Sequence, residues 1–256
     1  MIVCRSTAEL ERMRDAGRLV GEVLTELASR VAPGVTTGDL DALAEERITR
    51  AGAAPAFKGY HGYPATICAS INEEVIHGIP SGRRVLNEGD ILSIDVGVSL
   101  NGYFGDSAIT LPVGQVSEDA ATLLRVTEES LYKAIEVVKP GGRISDIGHA
   151  VQAHVEANGF SVVREFVGHG IGQRMHEEPQ IPNYGEPGRG PRLAEGMVRA
   201  IEPMVNAGRP AVKVLADGWT AVTRDGSLSA HFEHTVAVTA DGPWILTARE
   251  VPVPAR

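Results

Sequence analysis

The chain has 256 residues, with 24 Lys and Arg against 33 Asp and Glu, and its formal net charge of −9 argues against broad binding to a phosphate backbone. That length can bury one large core or two small ones, and no run approaches the roughly 20 apolar residues of a membrane span. Cys4 and Cys68 are too few for a disulfide framework, and the Met1-Ile2-Val3-Cys4-Arg5 start lacks the build of a secretory signal, so a reducing cytoplasm is expected.

Ser6 followed by Glu9 reads as a capping box, and Leu10, Met13, Val20, Val23 and Leu27 follow at helical spacing. Pro33-Gly34 stops this helix. A second is predicted from near Thr37, with Asp39 in its first turn, through Leu40, Leu43 and Ile48 to Gly52. Residues 90–98 are β-rich, Asn101-Gly102 is a hairpin turn, and 103–111 returns. Ser117 caps a third helix through Leu124, Leu131, Ile135 and Val138, ended by Pro140-Gly141-Gly142. Ser145 is expected to cap a fourth, through Ile147, Val151 and Val155 to Gly159. Residues 197–205, 213–223 and 231–239 are the remaining strand candidates. No low-complexity linker interrupts the order. The expected fold class is α+β, with helices packed outside a curved antiparallel sheet.

The chain also repeats itself at an offset of 107 residues. Pro33-Gly34 lands on Pro140-Gly141, Asp39 on Asp146, Gly52 on Gly159, Leu86 on Leu193, Glu88-Gly89 on Glu195-Gly196, Ile94 on Ile201, and Asp95 on Glu202. That period is too long for a solenoid. It suits one domain over 1–256 built from two pseudo-symmetric halves, about 1–115 and 116–256. Such halves would bring Asp95 and Glu202 face to face.

Strand parity places a second acid beside the first. With Asn101-Gly102 as a two-residue turn, Leu100 pairs with Tyr103 and Gly97 with Asp106. Asp95 then shares the Gly97 face and becomes a diagonal neighbour of Asp106, roughly 7–8 Å away. The segments 93–97, 105–107, 200–204 and 232–234 hold Asp95, Asp106, Glu202 and Glu233 without any Lys or Arg. A single strand acid is more often solvated or paired with a distant arginine. Four in apolar β contexts, two related by the repeat, need protons or a divalent cation between them. His169 sits among glycines in Val167-Gly168-His169-Gly170-Ile171-Gly172, where backbone can approach closely. His77 and His176 stand in similar settings, and each alone could equally be a hydrogen-bonded core residue. His61, His149 and His154 read as surface or structural.

Taken together, His77-Gly78-Ile79-Pro80, Ser93-Ile94-Asp95-Val96-Gly97, Gly105-Asp106-Ser107-Ala108, Gly168-His169-Gly170-Ile171-Gly172, Met175-His176-Glu177-Glu178-Pro179, Ile201-Glu202-Pro203-Met204 and Phe232-Glu233-His234-Thr235 resemble the type I methionine aminopeptidases, in that family's motif order and over nearly the whole chain. The resemblance implies a pita-bread fold and removal of N-terminal methionine before a small second residue. It implies two divalent ions (cobalt, manganese, iron or zinc), with Asp95 on one, His169 and Glu202 on the other, and Asp106 and Glu233 bridging. Water activated by these ions would attack the first peptide bond, with Glu202 as general base and proton shuttle. His176 would bond the carbonyl, and His77 the scissile amide nitrogen or neighbouring backbone.

Phe57, Tyr60, Tyr63, Cys68, Met175 and Trp219 match the methionine cup, although Met175 replaces a common aromatic and Phe57 a usually smaller residue. Asn72, Glu74 and Ser229 match a monovalent-cation site. The Arg that often follows the 105–108 motif is missing, and no type II insertion lies between His176 and Glu202. The implied partners are nascent polypeptide N-termini and the ribosome, for a monomer with no nucleic-acid specificity and no membrane contact. Two alternatives stand beside this reading. One is an aminopeptidase P or prolidase-like enzyme, which usually carries a preceding domain; no extension is expected before the first helix here. The other is a non-catalytic pita-bread peptide-binding module, whose ligand sets are typically broken.

Overall fold

Four helices form where the apolar spacing places them. In the computed structural model, which describes residues 2–249, α1 (Thr7–Ala28), α2 (Thr37–Arg50), α3 (Glu118–Glu136) and α4 (Ile144–Ala157) each bury one stripe. The Glu9 carboxylate accepts the Ser6 N–H at 2.9 Å, and Ser117 Oγ accepts from Ala120 N at 3.2 Å, satisfying N–H groups that have no partner within the helix. The fourth helix departs from expectation. Its N-cap is Arg143, whose N–H bonds Asp146 Oδ2 at 2.7 Å. Ser145 lies inside the helix, and its hydroxyl donates instead to the Arg189 carbonyl at 3.0 Å. An acid three residues on takes the role given to the serine.

The repeat reappears in hydrogen bonding. Gly34 N donates to Leu86 O at 2.8 Å and Gly141 N to Leu193 O at 2.9 Å. An isolated bridge joins Thr36 to Val85 and another Arg143 to Arg192; both members of each pair shift by the same 107 residues (36 to 143, 85 to 192). The bounds of α2 map onto those of α4 by the same offset.

All strand pairs among the described residues are antiparallel. Strand Ile91–Leu100 pairs with Tyr103–Pro112 on one side, and with Ile67–Ile71 and Ala54–Pro55 on the other. Its Asn101-Gly102 turn has both central residues at positive φ, 52° and 81°, the hairpin geometry that matches strand twist. Gly97 faces Asp106 in this register, as parity requires. The second half builds a five-stranded sheet in the order Gly242–Ile245, His234–Thr239, Val198–Ile201, Gly168–Gly170, Glu177–Ile181. A large apolar core, from Val20 and Leu24 of α1 to Val151 and Val155 of α4, lies between helices and sheets.

Three strand expectations need correction. The 197–205 segment is two strands, Val198–Ile201 and Met204–Asn206, broken at Glu202-Pro203; Pro203 has no N–H to give a ladder. The 231–239 segment likewise breaks at Phe232-Glu233, between Ser229–His231 and His234–Thr239. The two breaks face each other, since Ile201 pairs with His234 and Met204 with His231. Residues 213–223 form a hairpin, Val212–Val214 with Ala221–Thr223. No helix among the described residues is long and apolar enough to cross a membrane.

Candidate active site

Both halves open onto one cavity of about 280 Å³. Asp95 and Asp106 reach it from the Ile91–Pro112 hairpin, where Asp95 sits between Cys68 and Ala108 on the neighbouring strands. Glu202 and Glu233 reach it from the facing strand breaks. There the chain has left the ladder and side chains can turn inward. His169 comes from the short strand Gly168–Gly170, between Val198–Ile201 and Glu177–Ile181. A Cβ on Gly168 would lie 2.4 Å from Ala200 O and one on Gly170 2.5 Å from Glu178 O, so only glycines let the neighbouring strands close around this histidine.

The polar wall fits a metal. Ligand atoms of Asp106, His169 and Glu233 all lie within 4.8 Å of one another. Glu202 Oε1 is 3.5 Å and Asp106 Oδ2 3.8 Å from His169 Nε2, too long for hydrogen bonds but within reach of donors sharing an ion at about 2.1 Å each. His169 Nδ1 bonds Gly170 O at 2.9 Å, which assigns the proton to Nδ1 and leaves the Nε2 lone pair facing the acids. Asp95 Oδ1, Asp106 Oδ1 and Glu233 Oε1 are buried without a hydrogen-bond partner. Anionic oxygens in that state are costly unless a cation takes them.

The electrostatics agree. Burial pushes the Asp95 carboxyl up to about 7. Asp106, Glu202 and Glu233 are pushed well above the ordinary carboxylate range, first by burial and then by one another. Burial holds His169 down to about 3 and His77 to about 4, so both imidazoles are neutral near pH 7. Of the five donors foreseen, the structure packs Asp106, His169 and Glu233 into the tightest group. Glu202 joins through His169, and Asp95 on the cavity wall through its neighbour Asp106.

Aromatic and apolar side chains supply much of the remaining lining. Phe57, Tyr60, Tyr63, Cys68, Met175 and Trp219 all line the cavity, and Tyr63 meets Trp219 edge-on at 5.1 Å. Tyr63 Oη donates to Ile67 O or Gly78 O, at 3.0 and 3.1 Å, which anchors that ring. His176 stacks on Tyr60 and shares a 2.8 Å hydrogen bond between its Nδ1 and the tyrosine hydroxyl. His77 holds the left-handed backbone conformation, φ 60°, a strained state that surroundings must enforce, and its ring meets Phe166 and Trp219.

Residues 11–240 match metallopeptidase family M24. The chain is 59% identical to methionine aminopeptidase 1 of Bacillus subtilis, over 96% of this chain and 99% of that one, and 57% identical to a methionine aminopeptidase of Clostridium acetobutylicum, over 98% and 100%. The chain belongs to metallopeptidase family M24. The crystal structure of the Thermotoga maritima methionine aminopeptidase superposes with a TM-score of 0.96 at 49% identity, covering 97% of this chain and all of that one. The Pyrococcus horikoshii prolidase, 23% identical with a TM-score of 0.79, shares the fold alone. The fold is thus the M24 pita-bread fold, and the resemblance to type I methionine aminopeptidases holds over nearly the whole chain.

Within this M24 site, some residues were missed or misplaced from sequence. His61, read as surface or structural, lines the cavity with an exposed ring 4.4 Å from Tyr60; its place beside Tyr60, one turn from Tyr63, was the available signal. Ile76, Phe166 and Val167 also line the cavity; Ile76 precedes His77, Val167 precedes Gly168, and Phe166 is one residue further back. His231, two residues before Glu233, lies behind the polar wall. The side chains matched to a monovalent-cation site make hydrogen bonds and an ion pair within the protein. Glu74 pairs with Arg84 at 2.5 Å, Asn72 bonds Asp90 and Ile91 N, and Ser229 bonds Asn206 at 2.9 Å.

Proposed function

We propose that this chain removes the N-terminal methionine from newly made proteins, favouring a small second residue, as a single catalytic domain of two halves divided near residue 115. The observation that carries the site assignment is one cavity that gathers two kinds of group. Five metal-type donors from both halves share its lining with an aromatic and apolar cup.

Asp95, Asp106, His169, Glu202 and Glu233 would hold two divalent ions; one imidazole among four carboxylates suits manganese, iron, cobalt or zinc. When bound, such a pair supplies Lewis acidity and lowers the pKa of water at the site. Glu202 Oε takes and returns the proton that the reaction moves. With Tyr60 donating to Nδ1, His176 carries its proton on Nε2 and can donate to the substrate carbonyl as charge builds there. Neutral His77 holds the scissile amide or adjoining backbone. Phe57, Tyr60, Tyr63, Cys68, Met175 and Trp219 enclose the thioether, which packs well on aromatic rings. Met175 and Phe57 alter the shape of the cup while leaving the donor set intact.

The reading extends to a cytoplasmic monomer acting on nascent chains near the ribosome. Hydrolysis of Met-Ala-Ser by protein titrated with manganese or cobalt is the test. Activity rising in step with metal occupancy is expected, with X-Pro peptides left uncut; cleavage of X-Pro in preference would overturn the reading.

A further inference from the structure

His231 is a buried imidazole with no task in the chemistry above. It ends strand Ser229–His231 and is 2% exposed. Its backbone is clamped by Thr110, whose Oγ1 accepts from His231 N and donates to His231 O, both at 2.8 Å. Thr110 is braced in turn by Ser93 at 2.8 Å. The next residue, Phe232, donates its N–H to Pro203 O at 3.3 Å, which ties this strand end to the Glu202-Pro203 break. The ring is therefore carried by backbone fixed on both sides, yet Nε2 has no hydrogen-bond partner. The nearest carboxylate atom is Glu202 Oε2, at 4.0 Å. The other oxygen of Glu202 faces His169 at 3.5 Å, so two imidazoles flank one carboxylate.

We propose that His231 is a positioning residue for Glu202, its Nε2–H donating to Oε2 so that Oε1 stays directed at the metal site. Closing the gap takes about 1 Å, from the present separation to an ordinary N–H···O length. The bond restricts rotation of the carboxylate about its last torsion, and it satisfies both the orphaned donor and the outward oxygen. Outer partners of metal ligands typically alter metal affinity or activity 10–100-fold when removed. The inference rests on reading Glu202 as ligand and base.

The test compares His231→Leu, His231→Gln and His231→Asn by manganese titration calorimetry, by the visible spectrum of the cobalt-loaded protein, and by kinetics on Met-Ala-Ser. Gln places an amide donor at a reach comparable to Nε2, whereas Asn is one methylene shorter. The expected result is about a tenfold or greater loss of metal affinity in Leu and Asn, an altered cobalt spectrum, a lower kcat with little change in KM, and recovery in Gln. Wild-type metal affinity and spectrum in His231→Asn would overturn the proposal, as would equal impairment in Gln and Asn; these hold even if the Leu variant does not fold. Glu202→Gln is the control. Normal metal binding and turnover there would refute the underlying role of Glu202, whereas impairment there with an unaffected His231→Asn refutes only the positioning.

Discussion

The ring of Phe57 fills the space that a side chain on Gly97 would need. A Cβ there would lie 2.5 Å from Phe57 Cε1 and 3.0 Å from Ala56 Cβ. Gly97 is also the hairpin partner of Asp106, so one residue without a side chain serves both the metal wall and the cup. Gly97→Ala should push the ring into the cavity, cost about 1–3 kcal/mol as overpacking, and raise KM for methionine peptides while sparing metal binding. Phe57→Leu in the same background should restore KM. Melting curves and steady-state kinetics check both; an unchanged KM in Gly97→Ala would refute the shared-space reading.

Asp106 contributes a buried oxygen without a partner, and the folded core does not depend on it. Asp106→Ala should therefore melt no lower than the wild type in EDTA. Saturating manganese at about 100 times Kd should stabilise the wild type by about 2.7 kcal/mol and leave the variant unmoved. A manganese-dependent shift in the variant would remove Asp106 from the ligand set.

The buried acids make stability depend on pH with a definite sign. A carboxyl whose folded value is raised, as Asp95 is from 3.8 to about 7, adds stability below its unfolded pKa and loses it as pH rises through the folded value. The buried histidines act oppositely: His169, held down from 6.5 to about 3, adds stability above its unfolded pKa and loses it as pH falls. The unfolded histidines finish titrating about one unit above 6.5, so beyond about pH 7.5 the acids set the slope and the metal-free protein should weaken as pH rises further. Metal binding must displace the protons that remain. The melting gap between manganese-loaded and EDTA-treated protein should widen over that range, and calorimetry in buffers of different ionisation enthalpy should record proton release. A constant gap with no proton release would contradict the burial of these acids.

Tyr60 holds His176 by one hydrogen bond. Tyr60→Phe keeps the stacked ring and removes only the hydroxyl, a loss of about 1 kcal/mol, or roughly fivefold in kcat/KM. The metal isotherm should be unchanged. Full activity would show that the stacking contact alone orients His176.

How far the sequence reaches can be judged at individual residues. Helix stripes, capping at Ser6 and Ser117, and the 91–112 hairpin were legible because each depends on neighbours close in the chain. The Gly97–Asp106 register followed from a two-residue turn and the alternation of strand faces. At Ser145 local reading misled, since Asp146 competes for the same cap. At Glu202 and Glu233 it could not see that both strands break, because each break exists only opposite the other. His231 escaped for a similar reason, since the carboxylate it stands behind belongs to another strand break; at His61 the adjacent Tyr60 was a local signal.

By itself, then, the chain determined which residue types recur at an offset of 107, where three of the four helices begin, and that four acids lie in segments free of Lys and Arg. Local propensity, periodicity and charge are properties of short stretches and can be read from them. Only the tertiary structure decided that those acids meet His169 on one wall, that Gly97 yields its volume to Phe57, and that His231 stands behind Glu202. Burial and close approach arise when distant segments pack together, and no single segment encodes them.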